Sequence, residues 1–261
     1  MRPMYELLLI GLVVGILAQL IDGALGMAYG VSSTTAFVSM GISPVLASAS
    51  VHAAEIFTTL VSGSSHFRLG NVRKDMLLRL AVPGVIGGVM GAFVSVSLST
   101  DSRLQLIVGG VLLFMGILIF SKFAFRQALH FRKERPSSRM LVPLGYIAAF
   151  LDAIGGGGWG PIATTTLVTN KVKPNEAIGS VNFAEFFVTV SETVTFILLI
   201  GAYQFNGLWI LIIGLIIGGV ICAPFAAWAC KKLPCRILGM LVGTTVIILS
   251  ARIILRYFAI W

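Results

Sequence analysis

The stretch DAIGGGGWGP at residues 152–161 decides the fold, because it lies inside an apolar run and interrupts it. Each glycine destabilises a helix by about 1 kcal/mol relative to alanine, so we expect the helix to end within the four consecutive glycines. A related stretch, DGALGMAYG, is found at residues 22–30. The two aspartates are 130 residues apart (152 − 22). The sequence therefore predicts one glycine-interrupted helix in each half of the chain.

The offset of 130 residues persists beyond these two stretches, without a gap. Matching pairs include Thr34 and Thr164, Thr35 and Thr165, Pro44 and Pro174, Ser50 and Ser180, and Glu55 and Glu185. Such a run indicates an internal duplication. In membrane proteins, glycine-interrupted hydrophobic segments at corresponding positions of two repeats point to the binding site of a secondary transporter.

The composition is that of an integral membrane protein. Of the 261 residues 57% are hydrophobic and only 11% are charged, whereas soluble domains carry about 25% charged residues. Apolar runs near or above the ~20 residues that span a bilayer cover residues 7–38, 45–65, 77–98, 104–121, 141–169, 177–203, 207–229 and 237–258. We therefore expect an all-α polytopic membrane protein with two repeats of about four hydrophobic segments each. The first repeat covers residues 1–121, a basic cytoplasmic linker 122–139, and the second repeat 140–261.

The net charge of +9 lies mainly in loops and at segment ends, which indicates cytoplasmic loops and contact with anionic lipid rather than nucleic-acid binding. If the second half is inverted relative to the first, the basic residues near 171–173 and 231–236 also become cytoplasmic. Inversion requires an odd number of crossings in each half. As straight helices, residues 7–38 and 141–169 would measure ~48 and ~44 Å, against a hydrocarbon core of ~30 Å. We therefore expect segments 1 and 5 to be glycine-broken, re-entrant hairpins with their tips in mid-membrane.

Five acidic residues fall inside apolar runs: Asp22, Glu55, Asp152, Glu185 and Glu192. Each costs ~2.5–3.5 kcal/mol at the centre of a membrane helix, so each is a functional candidate. The Asp pair and the first two Glu residues are related by the repeat, whereas Glu192 aligns with Ser62. Two interpretations stay open for the pairs. The Asp side chains can cap the helix that follows, and the Glu side chains can carry coupling protons.

The glycine-rich tips are candidates for binding an anion, because consecutive backbone N–H groups can form a nest. A helix that begins at Val31 or Pro161 would add its dipole, and close helix packing is the alternative role for the glycines. Spacing of three residues also places His52 beside Glu55 and Asn182 beside Glu185 on helical faces. The candidate substrate-binding residues are Gly155, Gly156, Gly157, Gly158, Thr34, Thr164, Thr165, Ser50, Ser180, His52 and Asn182.

Over essentially its whole length the chain resembles the sulfite exporter TauE/SafE family. The resemblance rests on residues 152–161, on IGSVN at 178–182, on EFF at 185–187 and on HFRLGNV at 66–72. It implies a duplicated inner-membrane protein that moves sulfite, small organosulfonates or related sulfur anions. Leu25, Met27 and Ala28 stand where glycine is common in the family, so we expect the second tip to contribute more to substrate binding.

These observations predict a multi-pass secondary transporter of small sulfur-containing anions in the cytoplasmic membrane of a bacterial or archaeal cell. Proton coupling through Glu55 or Glu185 is expected, since carboxylates repel an anion unless they are protonated or paired. We expect no enzymatic activity, cofactor or resident metal. The expected partners are the anion and membrane lipid, with a homodimer as the candidate assembly. Two alternatives stay open: a cation or metal transporter that uses the intramembrane carboxylates and His52, and an intramembrane aspartyl enzyme that uses Asp22 and Asp152.

Overall fold

A computed structural model describes residues 4–25, 27–125, 136–205, 208–232 and 235–258, and the described residues are helical. The helices are α1 (Met4–Leu25), α2 (Tyr29–Ser39), α3 (Pro44–Arg68), α4 (Lys74–Ser97), α5 (Arg103–Ala124), α6 (Ser138–Gly155), α7 (Trp159–Thr169), α8 (Pro174–Ile200), α9 (Trp209–Lys232) and α10 (Cys235–Tyr257). A short 3-10 helix, Ala202–Phe205, joins α8 to the chain that leads into α9. Most of the expected basic linker at 122–139 lies outside the described residues.

Seven of the described helices are long and apolar enough to cross a membrane. The remaining helices include α2 and α7, of 11 residues each, which extend only ~16 Å at ~1.5 Å per residue. Large apolar side chains on the long helices face outward; Leu198 is 78% exposed and Ile86 57%. An apolar exterior of this kind suits lipid rather than water. The prediction of an α-helical, polytopic membrane protein is confirmed.

The helix boundaries follow the sequence repeat. α2 begins at Tyr29 and α7 at Trp159, which are 130 residues apart, and α3 and α8 begin at Pro44 and Pro174 with the same separation. Proline suits the first turn of a helix because its missing N–H has no intrahelical partner there. The turns before these prolines contain Gly41 and Lys171, and both adopt positive φ (91° and 67°). The two halves thus share the starting positions of these helices and the positive φ in the turn before the proline.

The packing of the long helices crosses between the two halves of the chain. α1 packs along α9 and α6 packs along α4, while α3 pairs with α8 and α5 with α10. The first helix of each half, α1 or α6, therefore lies against the fourth helix of the other half, which is α9 or α4.

Glycine makes these crossings close. A Cβ at Gly15 would lie 2.5 Å from the Leu215 carbonyl oxygen of α9, and one at Gly91 would overlap the carbonyl oxygen of Phe150 in α6. Lipid tails are as apolar as leucine, so such close van der Waals contact holds membrane helices together where the hydrophobic effect cannot. The glycines at the α1–α9 and α4–α6 contacts consequently lock the two halves to each other.

Candidate functional site

The two interrupted helices break where the sequence predicts. α1 ends at Leu25 before α2, and α6 ends at Gly155 before α7. Gly156 and Gly157 both have positive φ (70° and 156°), and Ala28 in the first half has a φ of 114°. The following helices begin at Tyr29 and Trp159, two residues earlier than expected. Glycine is needed at the second tip because L side chains rarely adopt these backbone angles.

The two tips meet. A Cβ on Gly30 would lie 2.8 Å from the Cα of Gly157, and one on Gly157 would overlap the backbone of Gly30 and Val31. The Thr34 hydroxyl donates a short hydrogen bond to the Gly156 carbonyl, which joins α2 to the opposite tip. Each tip thus forms part of the other's surroundings, so the two halves build one site.

The aspartates bind the start of the following helices. Asp152 Oδ1 accepts hydrogen bonds from the backbone N–H of Gly158 and from that of Trp159, the latter at 3.0 Å. The carboxyl of Asp22 interacts with the backbone N–H of Tyr29, which is the repeat-related position. Asp152 thus accepts hydrogen bonds from the first N–H groups of α7, which is the arrangement that the capping interpretation describes. It also means that two of the N–H groups expected to bind a substrate anion already bind the protein's own carboxyl group.

A narrow polar cavity, with room for about one water molecule, lies where the tips meet. Two carboxyl groups from each half line it: Asp22 and Glu55 from the first, Asp152 and Glu185 from the second. Glu55 and Asp152 are almost wholly buried, whereas Asp22 and Glu185 are half-buried. The other lining residues are Met27, Ala28, Tyr29, Gly30, Val31, Gly157, Gly160, Pro161 and Asn182. Among the described residues, this lining contains carboxyl and amide groups and backbone but no Lys, Arg or His.

A second cavity of similar size continues from the first, since both are lined by Asp22, Tyr29, Glu55, Asn182 and Glu185. It adds the polar side chains of Gln19, Thr58, Thr59 and Ser62. Asn182 Nδ2 donates a hydrogen bond of 2.9 Å to Ser62 Oγ. The two cavities form a polar path along α3 and α8, and Asn182 lies at the point where they join.

The predicted site residues divide into two groups. Those that line the cavities are Asp22, Glu55, Asp152, Gly157, Asn182 and Glu185. Those that are not among the lining residues are Thr34, Ser50, His52, Gly155, Gly156, Gly158, Thr164, Thr165 and Ser180. In this second group, the Thr165 hydroxyl lies 3.7 Å from the Met27 sulfur, and the buried hydroxyls of Ser50 and Thr164 have no hydrogen-bond partner.

Ser180 has a structural contact at the end of the bundle. Its hydroxyl accepts a hydrogen bond of 3.0 Å from the backbone N–H of Arg73, in the turn before α4. The Arg73 guanidinium lies 3.0 Å from Asp75 and 3.5 Å from Glu176. The hydrogen bond that it donates to Asp75 raises the pKa of Arg73 above its ordinary value. Ser180 therefore fixes this turn against α8, and its hydroxyl serves that contact rather than substrate binding.

Sequence reasoning did not include Glu192 among the site residues. Its carboxyl oxygen lies 3.2 Å from His52 Nε2, and the other ring nitrogen, Nδ1, lies 3.0 Å from Glu55. The sequence did contain a signal for this residue, because a carboxyl group inside an apolar run is a functional candidate. Glu192 was set aside because it has no acidic counterpart in the first repeat. Donor atoms of His52, Asp152 and Glu192 lie within 4.8 Å of one another. Both histidine nitrogens contact carboxyl oxygens.

This combination defines a class: a multi-pass helical membrane protein whose two halves meet, through broken helices, at a polar site of the transporter type. The model of the sulfite exporter TauE/SafE family matches residues 11–253, and the chain belongs to that family. A relative in Bacillus subtilis (strain 168), the probable membrane transporter protein YtnM, is 42% identical over 250 residues, which are 93% of this chain and 81% of that protein. No solved structure matches the chain. The protein is a membrane transporter of the cell membrane and not an enzyme.

Proposed function

We propose that this protein is a proton-coupled secondary transporter of sulfite or related small sulfur-containing anions. The family's description supports the substrate class. The observation that carries the mechanism is the convergence of four carboxyl groups, two from each half, with Asn182 on one cavity. Intramembrane carboxyl groups in a polar cavity are typical of proton pathways in transporters.

The cavity can hold an anion only when its carboxyl groups carry protons. An ionised carboxylate only accepts hydrogen bonds, whereas a protonated carboxyl group donates one. In the protonated state, Glu55 and Glu185 supply O–H donors to a sulfur oxyanion, and the Asn182 amide is a further donor group at the same place. When the protons leave, the carboxylates repel the anion. Binding of the anion and binding of the proton therefore favour each other, which is the requirement for coupled transport.

Alternating access follows if the second repeat is inverted relative to the first. The repeated helix boundaries and the exchange of α1 and α6 between the halves support this arrangement. The short α2 and α7 span about half of the hydrocarbon core, which suits tips in mid-membrane. We expect a membrane-impermeant maleimide to label Met40→Cys and Asn170→Cys from opposite sides in a cysteine-free background. Labelling of both from the same side would refute the inversion.

Purified protein in liposomes tests the substrate class. We expect saturable uptake of labelled sulfite that unlabelled thiosulfate or methanesulfonate reduces severalfold, and no such uptake in liposomes without protein. The control is Glu6→Gln in α1, which removes a carboxyl group remote from the cavity and should leave uptake unchanged. Folded protein with no sulfite uptake would contradict the proposal.

Transport of a cation is the second candidate function. It is favoured by the same lining, because four carboxyl groups without a Lys, Arg or His attract positive charge. A single uptake assay distinguishes the anion transporter from the cation transporter. Saturable uptake of a labelled cation that is insensitive to sulfite, thiosulfate and methanesulfonate would select the cation transporter.

A further inference from the structure

His52 lies between two carboxyl groups that belong to different halves of the chain. Its Nδ1 is 3.0 Å from Oε2 of Glu55, one turn along α3. Its Nε2 is 3.2 Å from Oε2 of Glu192 in α8. The exposed fractions of the three side chains are 0%, 3% and 0% for His52, Glu55 and Glu192. Glu55, His52 and Glu192 thus form a continuous buried row, called here the carboxyl–imidazole row.

The ring of His52 is held in place by its neighbours. The Ser48 hydroxyl lies 3.5 Å from Nε2 and donates a hydrogen bond of 2.8 Å to the Ala153 carbonyl. The Phe196 ring lies 6.1 Å from the imidazole, centroid to centroid. Both nitrogens therefore keep facing carboxyl oxygens.

The row needs one proton in each of its two nitrogen contacts, because a nitrogen lone pair and a carboxylate oxygen that face each other repel. The contact with Glu55 is a hydrogen bond, and the contact with Glu192 is at ion-pair distance. Either the ring is an imidazolium between two carboxylates, or it is a neutral imidazole beside one carboxylic acid. Both arrangements contain two protons. They differ only in which oxygen or nitrogen carries them.

A proton can cross the row without any change in the number of bonds. Protonated Glu192 gives its proton to Nε2 of a ring that is protonated on Nδ1, which forms the imidazolium. The Nδ1 proton then passes to the Glu55 carboxylate, and the ring is left neutral in the other tautomer. Glu192 becomes a carboxylate and Glu55 a carboxylic acid. One proton has moved from the α8 side of the row to the α3 side.

The two ends of the row have different surroundings. Glu55 lines the polar cavity, together with Asp22, Asp152 and Glu185. Glu192 is not among the residues that line that cavity and lies against α4, where a Cβ on Gly88 would lie 2.6 Å from its Oε1. Glycine at position 88 thus leaves room for the carboxyl group. Both oxygens of Glu192 and Oδ2 of Asp152 are buried without a hydrogen-bond partner, so Glu192 approaches His52 at ion-pair distance and not in an aligned hydrogen bond.

The charged neighbours of the row are acidic. Asp152 of α6 and Glu185 of α8 act electrostatically on Glu192, and Asp22 of α1 and Asp152 act on Glu55. Tyr29 of α2 lies near Glu55, and α4 contributes Gly88. No lysine or arginine is among these neighbours in the described part of the chain. Protons are thus the charges available to balance the carboxylates.

We propose that Glu55, His52 and Glu192 are the proton path of this transporter, and that the path connects the substrate cavity to the interior of the bundle near α4. The proposal rests on the proposed function and extends it, because it adds His52 and Glu192 to the coupling residues. It assigns them to proton movement and not to contact with the substrate.

Two transport assays on the same liposomes separate these roles. Counterflow measures exchange of labelled for unlabelled substrate at equal pH, and it needs the substrate site only. Gradient-driven uptake measures accumulation under an imposed pH difference, and it needs the proton path. For Glu192→Gln and His52→Gln we expect counterflow within about twofold of the unmodified protein. We expect gradient-driven uptake to fall at least tenfold, to its level without a gradient. Glu6→Gln serves as the matched control and should change neither.

Each outcome decides the proposal. Gradient-driven uptake that persists in both variants overturns the proton path, while counterflow in the unmodified protein keeps the proposed function. Loss of counterflow in variants that remain monodisperse also overturns the proton path, because His52 and Glu192 then serve the substrate site. If Glu192→Gln is not monodisperse, His52→Gln is judged by the same criteria. Absence of counterflow in the unmodified protein refutes the proposed function and the path with it. Uptake that requires sodium or a divalent cation, and does not respond to pH, overturns the path as well.

Discussion

Gly157→Ala is expected to prevent the protein from folding stably. A Cβ at this position would overlap backbone atoms of Gly30 and Val31 in the opposite tip, and backbone cannot move aside as a side chain can. The φ of 156° adds conformational strain. Overpacking and backbone strain together cost roughly 2–6 kcal/mol in the free energy of unfolding. Size-exclusion chromatography in detergent after a series of heating steps measures the effect.

Gly110→Ala is the matched control for this substitution. Gly110 lies within α5, and a Cβ there would have no heavy atom within 4 Å. Alanine is the better helix former by about 1 kcal/mol, so this variant should be as stable as the unmodified protein or more stable. Equal thermal stability of the two variants would contradict the contact between the tips.

Asp152→Ala is expected to have the second-largest effect. The substitution removes the acceptor for the N–H groups of Gly158 and Trp159 at the start of α7. A buried donor without a partner costs about 1–3 kcal/mol, so we expect a loss of roughly 2–4 kcal/mol in the free energy of unfolding. The second tip would then lose its shape, and sulfite uptake with it.

Asp152→Asn separates the hydrogen bonds from the charge. Asparagine keeps an oxygen that can accept from both N–H groups, so we expect its unfolding temperature in detergent to stay close to that of the unmodified protein. Thermal unfolding of the two variants side by side provides the comparison. An alanine variant as stable as the asparagine variant would contradict the role of Asp152 in holding α7.

Features that depend on local sequence could be predicted from sequence alone. The cost of consecutive glycines is a property of the backbone, so the break after α6 could be placed within the stretch at residues 152–161. Capping also depends on neighbours close in the chain, and this made Asp152 recognisable as a cap. The membrane class follows from composition, because few sequences outside the bilayer contain so few charges.

Features that depend on pairing of distant helices could not be predicted. The contact of His52 with Glu192 arises because α3 lies against α8, which no spacing within either helix reveals. Comparison of the repeats also made Glu192 a weaker candidate, because Ser62, which is not acidic, occupies the equivalent position in the first repeat. The sequence left two uses open for the N–H groups of the second tip, binding of a substrate anion and binding of the Asp152 carboxyl, and the folded position of that carboxyl decides for the second at Gly158 and Trp159.

Coupled transport requires that the substrate drive proton movement through the protein. A sulfonate is the suitable substrate for this measurement, because it stays ionised at every pH used and carries no proton itself. The liposomes contain a pH-sensitive dye and a potassium ionophore that holds the membrane potential at zero.

The measurement that tests the central claim most directly is the internal pH of these liposomes after an inward methanesulfonate gradient is imposed. We predict a change in internal pH that depends on the protein, saturates with methanesulfonate and is suppressed by sulfite at the same concentration on both sides. Uptake of labelled methanesulfonate without any change in internal pH would contradict proton coupling. Absence of both signals in folded protein would contradict the assignment to small sulfur-containing anions.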